Sequence, residues 1–266
     1  MKIIGMIPAR GGSTRFGNKP LADINGHPMI WCVHKHAKEV DVFDEVYVAT
    51  DSEGIRNVCE SFGAKVIMTS KDHDTATERL YEVMTKVDAD LYCMVNGDEP
   101  TLSADTIKMC IPDGINPDEF YVSNLMTDFE DPVEVVDPAN LKIVTNKDGI
   151  VLFISRAPIP FPKGAMNYTF HKFVGVGTFT KKALQFYHDT PRGEIEKIEE
   201  NDSFRFIENR KDCYYINCHC KSLSVDTPKD LEKVKQMLAE EAETFKEKSI
   251  CSSLSQVPAS LNPKKW

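Results

Sequence analysis

The run Ile4-Gly5-Met6-Ile7-Pro8-Ala9-Arg10-Gly11-Gly12-Ser13-Thr14-Arg15-Phe16-Gly17-Asn18-Lys19-Pro20-Leu21 passes from an apolar strand straight into a loop rich in glycine and cations. Gly11, Gly12 and Gly17 let a backbone approach other atoms closely and take dihedrals that a side chain forbids. Arg10, Arg15 and Lys19 add positive charge with no acidic residue between them. A first strand that ends in this way builds an anion cradle, which suits a nucleoside triphosphate. Gly-rich turns after a first strand are common, however. This one matches neither G-x-x-x-x-G-K-[ST], since Pro20 follows Lys19, nor G-x-G-x-x-G, so the glycines alone carry little.

The rest of the chain narrows the class. At 266 residues it can bury a large core and lies near the upper size of one α/β domain. A formal charge of −9 argues against a sequence-independent nucleic-acid binder, whose phosphate contacts need a basic surface. Residues 10–19 are then the local basic pocket for a phosphate-bearing ligand. Met1-Lys2-Ile3-Ile4-Gly5 enters a strand without the apolar stretch of a signal peptide, and no run is long enough to cross a bilayer. A cytoplasmic protein with no membrane partner is expected. Eight scattered cysteines are read as reduced and individually buried. Cys218-His219-Cys220 invites a zinc reading, but in an extended strand the two thiols face one side and the imidazole the other. His34 and His36, two apart on a helix, point away from each other. His27, His188 and His219 are read as surface or turn residues.

Short runs rich in β-branched residues alternate with amphipathic stretches, the pattern of a mainly parallel sheet covered by helices. Strands are expected at 3–7, 45–49, 65–68 and 91–95. Helices are expected at 28–40, 53–62 and 77–87, with Asp51-Ser52 and Asp74-Thr75 as caps. Ligands in such a sheet gather at the carboxyl ends of the strands. From about Phe120 the rhythm turns extended, at 121–125, 133–136, 141–144 and 151–154, with Lys147-Asp148-Gly149 as a hairpin turn. Residues 157–164, with three prolines, read as an exposed arm. A strand at 173–179, helices at 181–188 and 193–208, a strand at 214–220 and a helix at 228–244 complete one domain, 1–247, with an excursion over 120–190. Residues 248–266 read as a mobile tail.

Two acidic segments sit where chemistry is expected. Val95-Asn96-Gly97-Asp98-Glu99-Pro100 follows an apolar strand, and Ser224-Val225-Asp226-Thr227-Pro228 precedes a helix. Asp98 is either a ligand-facing carboxylate or a turn residue. Asp226 is a helix-start residue, a functional carboxylate, or both. Arg156 in Ile154-Ser155-Arg156-Ala157-Pro158-Ile159-Pro160 needs a partner if buried, which is a substrate carboxylate, Glu196 or Glu199.

The ordered set Arg10, Ser13, Arg15, Lys19 and Pro20 resembles the loop P-A-R-x-x-S-x-R-x-x-x-K-P-L of the cytidylyltransferases that activate 3-deoxy-manno-octulosonate. The likeness recurs over about residues 1–240. V-N-G-D-E-P at 95–100 stands for the family's V-Q-G-D-E-P, V-D-T-P-K-D-L at 225–231 for V-D-T-P-x-D-L, and I-S-R-A-P-I-P at 154–160 for F-S-R-A-x-I-P. The resemblance implies a Rossmann-like nucleotidyltransferase sheet in a homodimer that joins CMP from CTP to an acidic acceptor and releases pyrophosphate. It implies that Asp98 and Asp226 hold a catalytic Mg2+, and that Arg10, Arg15 and Lys19 hold the triphosphate. Ala9, Gly11, Ser13, Asn96 and Gly97 complete the implied nucleotide site.

Looser matches fall in the segments that line the family's sugar pocket. At 73–80 Gly is replaced by Ala76 and Ser by Thr75, while Thr77, Glu78 and Arg79 are kept. His171-Lys172-Phe173-Val174-Gly175-Val176-Gly177 stands for H-K-H-I-G-I-Y, and Asp202-Ser203 for Glu-Gln. The implied acceptor residues are Arg79, Arg156, His171, Phe173, Glu196, Glu199, Asp202 and Ser203. The expected acceptor is a 2-keto-3-deoxy sugar acid. Alternatives are its amino analogue, a sialate-type acid or a phosphonate, and, in another class, a nucleotide-binding sensor or scaffold without turnover.

Overall fold

A computed structural model describes residues 1–12, 18–164 and 167–240. Eleven strands are present among them: β1 Ile3–Ala9, β2 Asp23–Ile24, β3 His27–Pro28, β4 Glu45–Thr50, β5 Lys65–Met68, β6 Leu91–Val95, β7 Val122–Asp128, β8 Lys142–Thr145, β9 Val151–Ser155, β10 His171–Thr180 and β11 Tyr214–Asn217. The main sheet has the order β11-β7-β10-β6-β1-β4-β5. β4, β1 and β6 are parallel, as are β5 with β4 and β11 with β7, while β10 runs against both β6 and β7. β8 and β9 form a side hairpin attached to the start of β10.

Burial on both faces explains the apolar strands. All five residues of β6 are buried. Ile4, Met6, Tyr92 and Met94 belong to one core cluster, and Ile7, Cys93 and Val95 to another, so alternate residues feed opposite layers. Helix Glu53–Ser61 is capped by Ser52 Oγ, which accepts from Ile55 N at 3.4 Å, and helix Ala76–Lys86 by Thr75 Oγ1, which accepts from Glu78 N at 3.2 Å. The carboxyl ends of β1 and β6 thus open on the same edge as the start of the Ala76–Lys86 helix.

Three expected elements differ. Residues 133–136 are not extended but lie in helix Pro132–Val136. Asp131 Oδ1 accepts from Val133 N at 2.8 Å and Pro132 occupies the first turn, a start signal that outweighs the β preference of three valines. The 193–208 helix is two pieces, Glu194–Glu199 and Phe204–Ile207, split where Glu200 takes φ 51. The 214–220 strand stops at Asn217, because His219 takes φ 47 and turns the chain away from the ladder. Residues 228–240 are helical, and Leu231 and Val234 pack with Val225, Ile24 and Met29 in a third cluster. No helix among the described residues is long and apolar enough to cross a membrane.

Candidate active site

A cleft of about 510 Å³ lies over the carboxyl ends of β1 and β6. β1 contributes Pro8, Ala9 and Arg10, and the turn after β6 contributes Asn96, Gly97 and Asp98. Lys19, Pro20, Met29, Asp226 and Arg79 also line it, together with His73, Asp74, Thr75, Ala76, Arg156, Glu200 and Asp202.

The centre is a bridge. Lys19 Nζ lies 2.8 Å from Asp98 Oδ2 and 3.0 Å from Asp226 Oδ1, although 207 residues separate Lys19 from Asp226. Burial alone would make the Lys19 ammonium easier to deprotonate. The two carboxylates outweigh it and hold its pKa above the ordinary value. Asp226 is therefore not the helix cap. That task falls to Thr227 and Asp230: Asp230 Oδ2 accepts from Thr227 N at 2.9 Å, and Thr227 Oγ1 accepts from Asp230 N at 3.3 Å. Two hard oxygen donors that converge on one cation position, with side chains 32% and 46% exposed to the cleft, fit a divalent ion such as magnesium, which keeps other positions for phosphate and water.

Glu99, to which the sequence assigns no role, fixes this centre. It is 2% exposed, and its Oε1 accepts from Gly175 N at 3.1 Å and Ser224 Oγ at 2.5 Å while Oε2 accepts from Ser222 Oγ at 2.6 Å. Burial raises its pKa, and the three donors oppose that rise. Val225 N donates to Asp98 O at 2.9 Å, so the segment that carries Asp226 is strapped to the turn that carries Asp98. The only prior sign of Glu99 was its place after Asp98, because its serine partners lie 123 and 125 residues away.

Gly97, in the cleft, and Gly11, next to Arg10, leave no room for a side chain. A Cβ on Gly97 would stand 2.7 Å from Pro8 O, and one on Gly11 would stand 2.9 Å from Ser52 Cβ. Gly11 N donates to Asp51 Oδ1 at 2.8 Å, and Asp51 also binds Arg79 at 3.1 Å, so part of the expected cradle is already committed to protein partners. Asn96 Oδ1 is buried with no donor among the described residues. Ser13, Arg15 and Gly17 lie outside the described residues.

The expected acceptor set divides. Arg79, Arg156 and Asp202 reach the cleft. Asp202 accepts from Thr77 Oγ1 at 2.7 Å and Thr77 N at 3.2 Å, and burial raises its pKa despite these donors. The other five stand elsewhere. Glu196, fully buried, forms a two-point ion pair with Arg205 at 2.7 and 2.9 Å. Ser203 bonds Tyr215 Oη at 2.9 Å, and Phe173 packs toward the same ring. His171 Nδ1 pairs with Asp128 at 2.9 Å, on the far side of a register shift in β10. Glu199 binds Ser155 Oγ at 2.8 Å and the Arg156 backbone N at 3.0 Å. The Arg156 guanidinium meets neither glutamate carboxylate: it donates to the carbonyls of Glu199 and Pro138 at 3.3 and 3.0 Å. Motif proximity placed these groups in one set, whereas in the structure four of them bond protein partners and Phe173 packs toward Tyr215.

Comparison with known proteins agrees with this geometry. The family model described as cytidylyltransferase matches residues 4–250. The chain is 32% identical over 241 residues to a 3-deoxy-manno-octulosonate cytidylyltransferase of Christiangramia forsetii, covering 90% of this chain and 97% of the relative. It is 35% identical over 243 residues to an 8-amino-3,8-dideoxy-manno-octulosonate cytidylyltransferase of Shewanella sp. strain ANA-3, covering 90% and 99%. A solved CMP:2-keto-3-deoxy-manno-octonic acid synthetase complexed with CTP superposes with a TM-score of 0.84 at 35% identity, over 91% of this chain and 100% of that one. The chain belongs to the 3-deoxy-manno-octulosonate cytidylyltransferases of the cytidylyltransferase family.

Proposed function

We propose that this enzyme transfers CMP from CTP to a 2-keto-3-deoxy sugar acid with release of pyrophosphate, and that Asp98 and Asp226 hold the Mg2+ that the reaction requires. The observation that carries this reading is the convergence of Asp98 and Asp226 on a single cation position at the mouth of a nucleotide-sized cleft. Bound there, the ion would neutralise charge on the phosphate oxygens. The chain's own groups do the rest. Arg10 and Lys19 bind the triphosphate and offset the charge that develops on the leaving pyrophosphate. The buried Asn96 Oδ1 takes a donor from the nucleotide. Arg79, locked by Asp51 and by a hydrogen bond to Thr69, keeps the turn beneath the phosphates rigid. An acceptor hydroxyl then attacks the α-phosphorus in line, and no covalent enzyme intermediate is needed.

The acceptor is read as a variant of octulosonate rather than octulosonate itself. Arg156, Asp202 and Glu200 supply charged contacts, while Ala76 adds a methyl and Asp202 is one methylene shorter than the family's glutamate, so the lining differs in shape from the family pattern. Action in the cytoplasm is part of the same reading, and a homodimer is supported by apolar exposure on and after β9, where Leu152, Phe153 and Phe161 are 56%, 39% and 83% exposed. Light scattering of the purified chain checks the dimer. The decisive assay is pyrophosphate release from CTP with octulosonate, its 8-amino analogue, a sialate and a small phosphonate. Faster turnover of another triphosphate refutes the cytidine assignment, and a lead for octulosonate refutes the altered wall.

A further inference from the structure

A second cleft, of about 380 Å³, lies behind the strap that carries Asp226, with Lys172, Cys220, Ser222 and Leu223 on its wall. Cys220 is half-buried there, and its Sγ stands 3.2 Å from Cys218 Sγ. The cause is local. Asn217 Oδ1 accepts from His219 N at 3.0 Å, and His219 takes φ 47, so the chain folds between the two cysteines and turns both thiols inward while the imidazole stays outside. Cys218 is pinned to β7 by its backbone N, which donates to Met126 O at 2.9 Å, and Cys220 by its carbonyl, which accepts from Thr127 Oγ1 at 2.7 Å.

These thiols differ from the other described cysteines. Burial pushes Cys32 and Cys59 up to about 11, and Cys110 and Cys213 up to about 12. In the pair, the S–H of Cys220 donates to Cys218 and draws its pKa down to about 7 against the effect of burial. One proton shared by two sulfurs leaves the pair with a single negative charge near neutral pH, carried by Cys218 while Cys220 holds the proton, and transfer of that proton between the sulfurs brings the charge to Cys220 at the cleft.

We propose that Cys218 and Cys220 form a reversible disulfide by exchange with a low-molecular-weight disulfide, and that closure of this bond displaces the strap from the catalytic turn. The proton passes from Cys220 to Cys218 along the 3.2 Å contact, and the Cys220 thiolate so formed attacks one sulfur of the oxidant RSSR, forming a mixed disulfide and releasing RS−. The Cys218 thiol loses its proton and attacks Cys220 Sγ, the internal bond forms, and a second RS− leaves. The protein loses two hydrogens and two electrons, and the oxidant becomes two RSH. Closure draws the sulfurs from 3.2 Å to about 2.05 Å. Two residues after Cys220, Ser222 holds Glu99 at 2.6 Å, and Ser224 holds it at 2.5 Å just before Asp226. A shift of about 1 Å in a positioned group is enough to cost ten- to a hundredfold in rate.

The test uses the full chain, reduced and then exposed to glutathione disulfide. Intact mass and peptide fragmentation read the bond, and hydrogen exchange over residues 222–226 reads the strap, both without substrate. The turnover reading alone rests on the proposed function, so an enzyme that never transfers CMP refutes that function and leaves the first two readings standing. Expected are a Cys218–Cys220 bond, faster exchange over 222–226, a fall in CMP transfer of at least about tenfold, and full recovery with dithiothreitol. Cys220→Ser and Cys220→Ala, both at the exposed member of the pair, should resist all of these changes. A mixed disulfide that never closes, a bond between other cysteines, unchanged exchange after closure, or unchanged turnover in an active enzyme overturns the proposal.

Discussion

Replacing Glu99 separates a charged residue that merely sits near the reaction from one that holds the site together. Glu99→Ala removes the acceptor for Gly175 N, Ser222 Oγ and Ser224 Oγ at once. The hydroxyls can rotate to new partners, but the backbone N–H cannot, and an orphaned buried donor costs about 1–3 kcal/mol. Loss of the remaining charge-assisted bonds adds to this, and relief of a buried carboxylate subtracts. A net loss of roughly 2–4 kcal/mol lowers the melting temperature by roughly 4–16 °C for a domain of this size. Glu99→Gln behaves differently. Its amide oxygen can stay at the Oε1 position and serve both Gly175 and Ser224, while its NH2 donates to Ser222 Oγ, so the loss stays within about 1 kcal/mol. Calorimetry of the two variants with and without magnesium and CTP reads stability, and pyrophosphate release reads the strap. Alanine should lower kcat by ten- to a hundredfold in protein that is still folded at 25 °C. A melting point for Glu99→Ala within about 2 °C of the parent, with normal kcat, refutes the clamp.

Asp98→Asn and Asp226→Asn should each cut CMP transfer by orders of magnitude with little change in melting temperature, because the helix cap belongs to Thr227 and Asp230; a stability loss with retained activity reverses that assignment. Gly97→Ala forces a Cβ to 2.7 Å from Pro8 O, which backbone must absorb, and should destabilise the fold by about 1–3 kcal/mol while weakening metal binding measured by titration. Glu82 is penalised by burial but held at about 2 by Lys86, Ser70 N and His73, against an ordinary 4.5. Its folded pKa is depressed, so the stability it adds is present above pH 4.5 and lost as pH falls toward 2. Glu82→Gln should therefore flatten the acid limb of a melting-temperature profile, and an unchanged limb refutes the assignment.

The parallel core was legible because β1, β4, β5 and β6 are apolar runs bounded by caps, and the helices that follow β4 and β5 start at Ser52 and Thr75 as expected. One end of the cleft was legible because its residues cluster in short segments: Ala9 with Arg10, and Asn96 through Asp98. What escaped depends on contacts across the chain. Nothing near Glu196 shows that Arg205 occupies it, and nothing near Arg156 shows that backbone carbonyls satisfy its guanidinium. The helix at Pro132–Val136 was hidden by three valines, although Asp131-Pro132 carried the start signal. Alternation likewise put Cys218 and Cys220 on one side of a strand, whereas a single left-handed residue between them does so in a turn.

The register shift in β10 has a further consequence. Between Val174 and Gly177 the strand leaves its ladder with β7, and Gly175 instead accepts from Asn96 N at 2.7 Å and donates to Glu99. A Cβ on Gly175 would stand 2.8 Å from Asn96, just as one on Gly97 would meet Pro8. The turn that bears Asp98 is thus wedged between two backbones with no slack on either side. The segments around Asp74 and Arg156 are held instead by side-chain bonds: Asp74 N donates to Glu78, Arg156 N donates to Glu199, and the Arg156 guanidinium donates to two carbonyls. A cleft held in this way can change side chains around Asp74 and Arg156 to suit a different acceptor while the turn that bears Asp98, fixed by backbone against backbone, keeps its alignment.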